Sequence, residues 1–319
     1  MKKNVIVTGG AGFIGSHIVD ALLEDERVGD VLVIDNLSNG DLKNIAHHEG
    51  NSRFQFEQMD IRDFEGLSRI FKGYHLVCHQ AALGSVPRSI NDPLTTNAVN
   101  IDGTLNVLKA AVDHKIERVV LACSSSTYGD SKELPKVEER IGNPLSPYAV
   151  TKLVNEQYAA VFQKTYGLDY IGLRYFNVFG PRQSPDNPYA AVIPIFCRAM
   201  MRGEQPTING DGLTSRDFTY VENVVQANLK SLFSDNKEAI NEVYNVACGE
   251  QTSLNELVRL INKAVGADIA PIYGAERAGD VKHSLAEISK IQNRMNYKPS
   301  VFFSEGIERV IRWYEQEAK

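Results

Sequence analysis

The segment Thr8-Gly9-Gly10-Ala11-Gly12-Phe13-Ile14-Gly15 constrains this chain more than any other. It follows the short β-branched run Val5-Ile6-Val7 and opens a stretch whose apolar residues recur at 14, 18, 19 and 22. A strand thus passes through closely spaced glycines into a helix. Such a turn lets backbone N–H groups approach a pyrophosphate at a helix N-terminus and lets helix and strand pack closely. Both Gly10-x-Gly12-x-x-Gly15 and Gly9-x-x-Gly12-x-x-Gly15 are present, so Gly9, Gly12, Phe13, Ile14 and Gly15 are expected dinucleotide contacts. Asp35 ends the next apolar run, Val31 to Ile34, 20 positions after Gly15. A carboxylate there accepts both adenosine ribose hydroxyls and repels a 2′-phosphate, which favours NAD over NADP. Asn36, Ser38, Asn39 and Gly40 follow as a loop along the same ligand, and Asp35 by itself also reads as a turn aspartate.

Further apolar runs lie at His75 to Cys78, Arg118 to Ala122 and Asp169 to Leu173, with an alternating run at Arg53 to Phe56. Runs of this kind fit strands buried on both faces of a parallel sheet. A second helical period covers Asn100 to Ala111, with apolar positions at 101, 105, 108 and 111. Strand and helix alternating in this way predict an α/β fold, a doubly wound parallel sheet of Rossmann type. From about Phe176 the texture changes, with Pro181, Pro185, Pro188, Pro194 and Pro206 in quick succession. We expect a dinucleotide-binding domain over 1–175, completed by segments returning near 215–247, and a smaller α/β substrate lobe over 176–319. A length of 319 residues suits two such modules.

Composition removes several classes. Apolar residues make up 43% and charged residues 23%, the ordinary globular mix. The net charge of −6 and a pI near 5.7 give no positive field to gather nucleic acid. No apolar run reaches the roughly 18 residues of a membrane span. The N-terminal apolar stretch is cut at Thr8-Gly9-Gly10 before a signal-peptide core forms. Cys78, Cys123, Cys197 and Cys248 form no CxxC pair and read as buried thiols. A soluble, cytoplasmic, two-part globular protein with no metal or disulfide signal is the expectation.

Asp60-Ile61 and Gln80-Ala81-Ala82 stand at strand ends beside the glycine loop. Asp60 reads equally as a cap for a helix starting near Phe64. Tyr148 and Lys152 stand at i and i+4, on one helix face after Pro147. A neighbouring ammonium favours phenolate, which predicts a tyrosine pKa drawn from about 10 toward neutrality. Such a phenolate can take a proton from an alcohol as hydride leaves the same carbon. YxxxK alone also fits a solvated helix pair. Ser124 and Ser125 open the serine-rich loop after the fifth strand, where a hydroxyl can bridge an alcohol to Tyr148. Turn formation is the competing duty of that loop.

With TGGAGFIG, Asp35, the three serines 124–126 and YxxxK in this order, the chain resembles the extended short-chain dehydrogenase/reductases over essentially its whole length. Tyr175 to Gln183, Ser215-Arg216-Asp217-Phe218 and Arg277-x-Gly279-Asp280 make it similar to the UDP-hexose 4-epimerases. Gly84 to Ser89 and Ser124 to Asp130 look like the branch acting on UDP-N-acetylglucosamine. The resemblance implies Tyr148 as base, Lys152 as its partner, and Ser124 or Ser125 at the 4-hydroxyl. It adds Asn100 and Tyr175 to the NAD contacts, and Ser85, Asn177, Ala191, Val192, Arg216, Arg277, Asp280 and Ser284 to those of a UDP-sugar. Arg216 and Arg277 would grip the diphosphate, although a surface ion pair with Asp217 or a neighbour also fits Arg216 and a solvated loop position fits Arg277. A small Ser284 in place of a bulky tyrosine leaves room for a 2-acetamido group. The resemblance further implies a homodimer, with the stripes Leu105, Leu108, Val112 and Val154, Tyr158, Val161 either at the interface or facing the core, and a place in nucleotide-sugar metabolism for polysaccharide biosynthesis. A nucleotide-sugar 4,6-dehydratase and a non-catalytic NAD-binding regulator are the rival readings. The first lacks a carboxylate in the loop where Ser124, Ser125 and Ser126 stand, and the second usually loses the tyrosine or the lysine, both present here.

Overall fold

A computed structural model describes residues 2–185, 190–276 and 282–317. Seven strands form one sheet: β1 Lys3–Thr8, β2 Val28–Asp35, β3 Phe54–Gln58, β4 Leu76–His79, β5 Arg118–Ser124, β6 Asp169–Tyr175 and β7 Glu242–Val246. Their spatial order is β7-β6-β5-β4-β1-β2-β3, and every pairing is parallel. Val7 sits in register between Val33 on one side and Cys78 on the other. This is the doubly wound sheet expected from the alternating runs.

Because side chains alternate across a strand, β1 divides its apolar residues between two layers. Val5 and Val7 join Ile18, Leu22 and Val224 on one face, where helix α1 (Phe13–Glu24) packs against the helix Val221–Leu232. Ile6 joins Leu67, Leu108 and Phe162 on the other, beneath the helices Phe64–Ile70, Gly103–Asp113 and Pro147–Tyr166. Burying a side chain such as Ile6 or Leu108 contributes about 1.5–3 kcal/mol.

The Pro147–Tyr166 helix has signals at both ends. Ser146 caps it by accepting the Ala149 N–H at 3.1 Å, Pro147 takes the first turn, and Gly167 ends it in the left-handed region. Such a cap is worth about 1 kcal/mol. The region before the Gly103–Asp113 helix departs from the simple period. Two short helices, Val86–Asn91 and Pro93–Asn97, run into a π-helical turn at Ala98–Asp102. That wider turn carries Asn100, and packing against Ile61 leaves no space for a side chain at position 103.

A third cluster lies outside the sheet layers. Phe179, Phe218 and Phe303 interleave, with Phe218 and Phe303 stacked at 4.9 Å, against the helices Val192–Met201, Leu254–Val265 and Phe303–Glu317. Leu108 is buried in the core, Leu105 and Val112 pack partly against it, and Val161 is exposed. All four cysteines are buried and unpaired. No helix among the described residues is long and apolar enough to cross a membrane.

Candidate active site

The order in which successive strands are added reverses between β1 and β4, the point where ligands bind in open α/β sheets. A cavity of about 900 Å³ runs along the carboxyl ends of the strands there. Gly9 turns the chain with φ +71°, and a side chain on it would come within 2.6 Å of the Ala81 backbone nitrogen. A side chain on Gly15 would overlap the Gly9 carbonyl. Gly12 caps α1 without a side-chain acceptor, so the first-turn N–H groups are left for a ligand. Gly9, Gly12, Phe13, Ile14 and Gly15 all line the cavity.

Asp35 is no solvated turn residue. It is 8% exposed, and its carboxylate accepts the Ala11 N–H at 3.0 Å and the Leu37 N–H at 2.8 Å. Burial pushes its pKa up, against the pull of those backbone donors. A Cβ on Gly40 would lie 2.9 Å from either carboxylate oxygen, so that glycine keeps the acid reachable. Asn36, Ser38, Asn39 and Gly40 line the same end. A glycine cradle with a fixed carboxylate one strand away fits a dinucleotide with a free ribose diol.

Asp60 is not the helix cap. The cap of the Phe64–Ile70 helix is Asp63, which accepts the Gly66 N–H at 2.9 Å. Asp60 pairs with Arg62 at 2.8 Å and accepts from Asn36 at 2.8 Å, and Arg62 brings its pKa down to about 2. Ile61 and Met59, its chain neighbours, line the cavity. Asn100 also stands behind the wall: fully buried, it holds Leu83 through the N–H at 2.8 Å and the carbonyl at 3.1 Å. It therefore shapes the lining without belonging to it. Gln80, Ala81, Ala82 and Tyr175 do line it, and the Tyr175 hydroxyl bonds Gln80 at 3.1 Å.

Tyr148 and Lys152 stand one turn apart and both line the cavity. The Lys152 ammonium donates to the Ala122 carbonyl at 2.7 Å and lies 5.9 Å from the centre of the Tyr148 ring. Ser124, last residue of β5, hydrogen-bonds Tyr148 and also receives the Ser126 N–H at 3.1 Å. Ser125 begins the following 3₁₀ turn, Ser125–Tyr128. Of the two serines, Ser124 is the one whose hydrogen bond acts on the Tyr148 phenol. One expectation is corrected: Tyr148 is raised above its ordinary pKa, because burial outweighs the Ser124 hydrogen bond that opposes it. Burial also brings Lys152 down to about 8, with Glu156 among the groups that resist. Behind them Arg174 and Glu156 form a buried two-pronged pair at 2.9 and 2.8 Å.

The expected sugar-nucleotide residues divide. Ser85, strained at φ 100°, and Ala191 line the cavity. Val192 opens the helix behind Ala191 and packs toward the lobe core. Asn177 donates to the Asp217 carbonyl at 3.1 Å, Arg216 to the carbonyls of Ser215 at 3.0 Å and Lys282 at 3.2 Å, and the Ser284 N–H to Ser215 at 3.1 Å. These last three lie together on the lobe rather than in the cavity lining. Asp217 binds this group to the end of β7: its carboxylate accepts the N–H groups of Cys248, Gly249 and Ala286. Arg277 and Asp280 lie outside the described residues.

Other lining residues escaped the sequence reading. Arg88 donates to Asn39 at 2.8 Å, Arg182 pairs with Asp20 at 2.8 Å, and the Tyr314 hydroxyl donates to the Gln183 carbonyl at 2.9 Å beside Trp313. Arg182 and Gln183 stood in a recognised motif. Trp313 and Tyr314 reach the cavity from a helix whose sequence carries only an amphipathic pattern.

A model described as the NAD dependent epimerase/dehydratase family matches residues 5–247. The structure is similar to a UDP-N-acetylglucosamine 4-epimerase from Methanobrevibacter ruminantium M1, solved with UDP-N-acetylmuramic acid, at TM-score 0.93 and 44% identity over 99% of this chain and 100% of that one. A UDP-glucose 4-epimerase from Thermotoga maritima, solved with UDP-glucose, matches at TM-score 0.92 and 36% identity over 99% and 100%. In sequence, the UDP-glucose 4-epimerase of Mycolicibacterium smegmatis is 35% identical over 98% of this chain and 99% of the relative.

Proposed function

The chain belongs to the NAD dependent epimerase/dehydratase family, and we propose that it inverts C4 of a UDP-sugar, with UDP-N-acetylglucosamine and UDP-N-acetylgalactosamine as the preferred pair. The observation that carries this reading is the Ser124–Tyr148–Lys152 group at the switch point, over a cavity lined by the glycine turn and Asp35. The glycine turn and Asp35 would hold NAD, which when bound supplies a hydride acceptor and donor at C4.

Tyr148, as phenolate, takes the proton of the 4-hydroxyl, with Ser124 positioned to relay it. Burial alone disfavours that phenolate, so the charge of Lys152, pulled down to about 8, matters for how much of it forms near neutrality. The 4-keto sugar then turns about its diphosphate linkage, and Tyr148 returns the proton as the alcohol re-forms with the opposite configuration. Turnover of this kind needs a firm hold on the nucleotide and a loose one on the sugar. Arg216, Arg277 and Asn177 are assigned to the nucleotide half, and Ser85 to the sugar. Ser284 supports acetamido substrates by its small volume.

The division into a cofactor domain over 1–175 and a substrate lobe over 176–319 belongs to this proposal, with β7 returned from the second part to the first. So do a cytoplasmic location, a homodimer to be read by sedimentation, and a role in supplying sugar donors for polysaccharides. The decisive experiment incubates the enzyme with UDP-N-acetylglucosamine, UDP-glucose and their C4 epimers and separates the products. Interconversion of the acetamido pair is expected. A 4-keto-6-deoxy product would establish the dehydratase instead, and no conversion of any sugar would establish the regulator.

A further inference from the structure

Outside the cavity, two elements aim three donor atoms at one point. Asp20 lies on α1, and His47 and His48 are neighbours in the 3₁₀ turn Ala46–His48. The His47 Nε2 lies 2.8 Å and the His48 Nε2 2.7 Å from the same oxygen, Asp20 Oδ1. The donor atoms of all three residues lie within 4.8 Å of one another. The rings are held by packing: His47 and His48 are 4.0 Å apart at their centres, and His48 rests 5.4 Å from Phe54. Asp20's other oxygen, Oδ2, is taken by Arg182 at 2.8 Å.

We propose that Asp20, His47 and His48 form a binding site for a divalent first-row transition-metal ion of the zinc class. Two imidazoles and a carboxylate are the donors such ions prefer, and three protein ligands leave the remaining positions to water. Metal–ligand bonds of about 2.0–2.2 Å in a tetrahedron set ligands roughly 3.4 Å apart. The two nitrogens and Oδ1 therefore need to part by only about half an ångström to admit the ion. His47 is 47% exposed at its side chain, which gives entry from solvent, while His48 at 13% provides the fixed wall. Each imidazole would bind the ion through Nε2 with its proton on Nδ1, so no co-reactant is required. Arg182 gives the site a link to the cavity, since it lines that cavity and shares Asp20 with the ion.

The test uses the full-length, tag-free protein and metal alone. Equilibrium dialysis against Zn²⁺ should give one equivalent bound, and Co²⁺ should develop visible absorption of a nitrogen-ligated ion. His47→Ala/His48→Ala should weaken Zn²⁺ binding at least about tenfold, with the far-UV spectrum and melting temperature without metal reporting that it still folds. Arg182→Gln, which removes the competing cation, should tighten binding. Equal Zn²⁺ affinity in wild type and the double variant would overturn the site. Unchanged or weaker affinity in Arg182→Gln would overturn the role given to Asp20. Neither readout depends on turnover, so the result is independent of the epimerase reading.

Discussion

Arg174→Met should be among the most damaging single substitutions outside the cavity lining. Arg174 on β6 and Glu156 on the Pro147–Tyr166 helix are 5% and 7% exposed at their side chains and pair through two parallel hydrogen bonds, from Nε and Nη2 of one guanidinium edge. Arg174 also donates to the Glu138 carbonyl at 3.0 Å and stacks 4.9 Å from the Tyr128 ring centre. Removing it leaves a buried carboxylate without its counter-charge, which costs about 3–5 kcal/mol. The abandoned Glu138 carbonyl adds about 1 kcal/mol. Replacing both partners, as Arg174→Met/Glu156→Leu, removes the stranded charge and should recover most of the loss, because a well-packed apolar pair is close to neutral relative to a buried ion pair. Urea unfolding followed by far-UV circular dichroism measures each variant, with an unchanged denaturant slope as the check that midpoints compare stabilities. A loss below about 1 kcal/mol in Arg174→Met, or a double variant as weak as the single, would refute the reasoning. The double variant carries a functional consequence too. Glu156 helps to keep Lys152 protonated, so the restored fold should turn over more slowly at neutral pH and recover as pH falls.

Four further outcomes are expected. Tyr148→Phe should abolish interconversion while the purified protein retains NAD by absorbance, and Ser124→Ala should lower kcat by about 10²–10⁴, far more than Ser125→Ala; equal effects of the two serines would remove Ser124 from the relay. His79, buried between Thr8 at 2.7 Å and Thr104 at 2.9 Å, is depressed by burial to about 3. Its folded pKa lies below the unfolded value of about 6.5, so its contribution is complete above pH 6.5 and is lost at about 1.4 kcal/mol per unit as pH falls toward 3. His79→Gln should flatten that part of the stability profile, and parallel profiles would count against the assignment. Ser284→Tyr should suppress acetamido substrates more than plain hexoses, whereas equal losses would defeat the idea that volume at this position selects the sugar.

The sequence made legible whatever is local. Val5-Ile6-Val7 and the glycines after it define strand, turn and helix within about a dozen residues, and Asp35 lies one strand away. Tyr148 and Lys152 were found together because a helix places i and i+4 on one face. What depends on long-range packing was hidden. The choice between Ser124 and Ser125 is made by which one the end of β5 turns toward a helix more than 20 residues on. The direction of the Tyr148 shift is set by burial, which no spacing reports. Asp60 and Asp63 are both cap-forming residues by type, and the exact first residue of the helix, Phe64, makes Asp63 the cap. Trp313 and Tyr314 approach the cavity from some 300 residues beyond the glycine turn, on a helix with no motif.

The place of β7 also governs the order in which the molecule can be made. Six of the seven strands have been translated by Tyr175, yet the neighbour that completes β6 is not translated until Val246. During that interval the nascent chain carries a sheet with an open hydrogen-bonding edge, a surface that invites pairing with other chains. The intervening segment is thus a loop closed by the sheet itself rather than an appended tail. A gene cut once after residue 175 yields a fragment with β6 uncovered, whereas a graft from a relative must join the chain on both sides of the excursion.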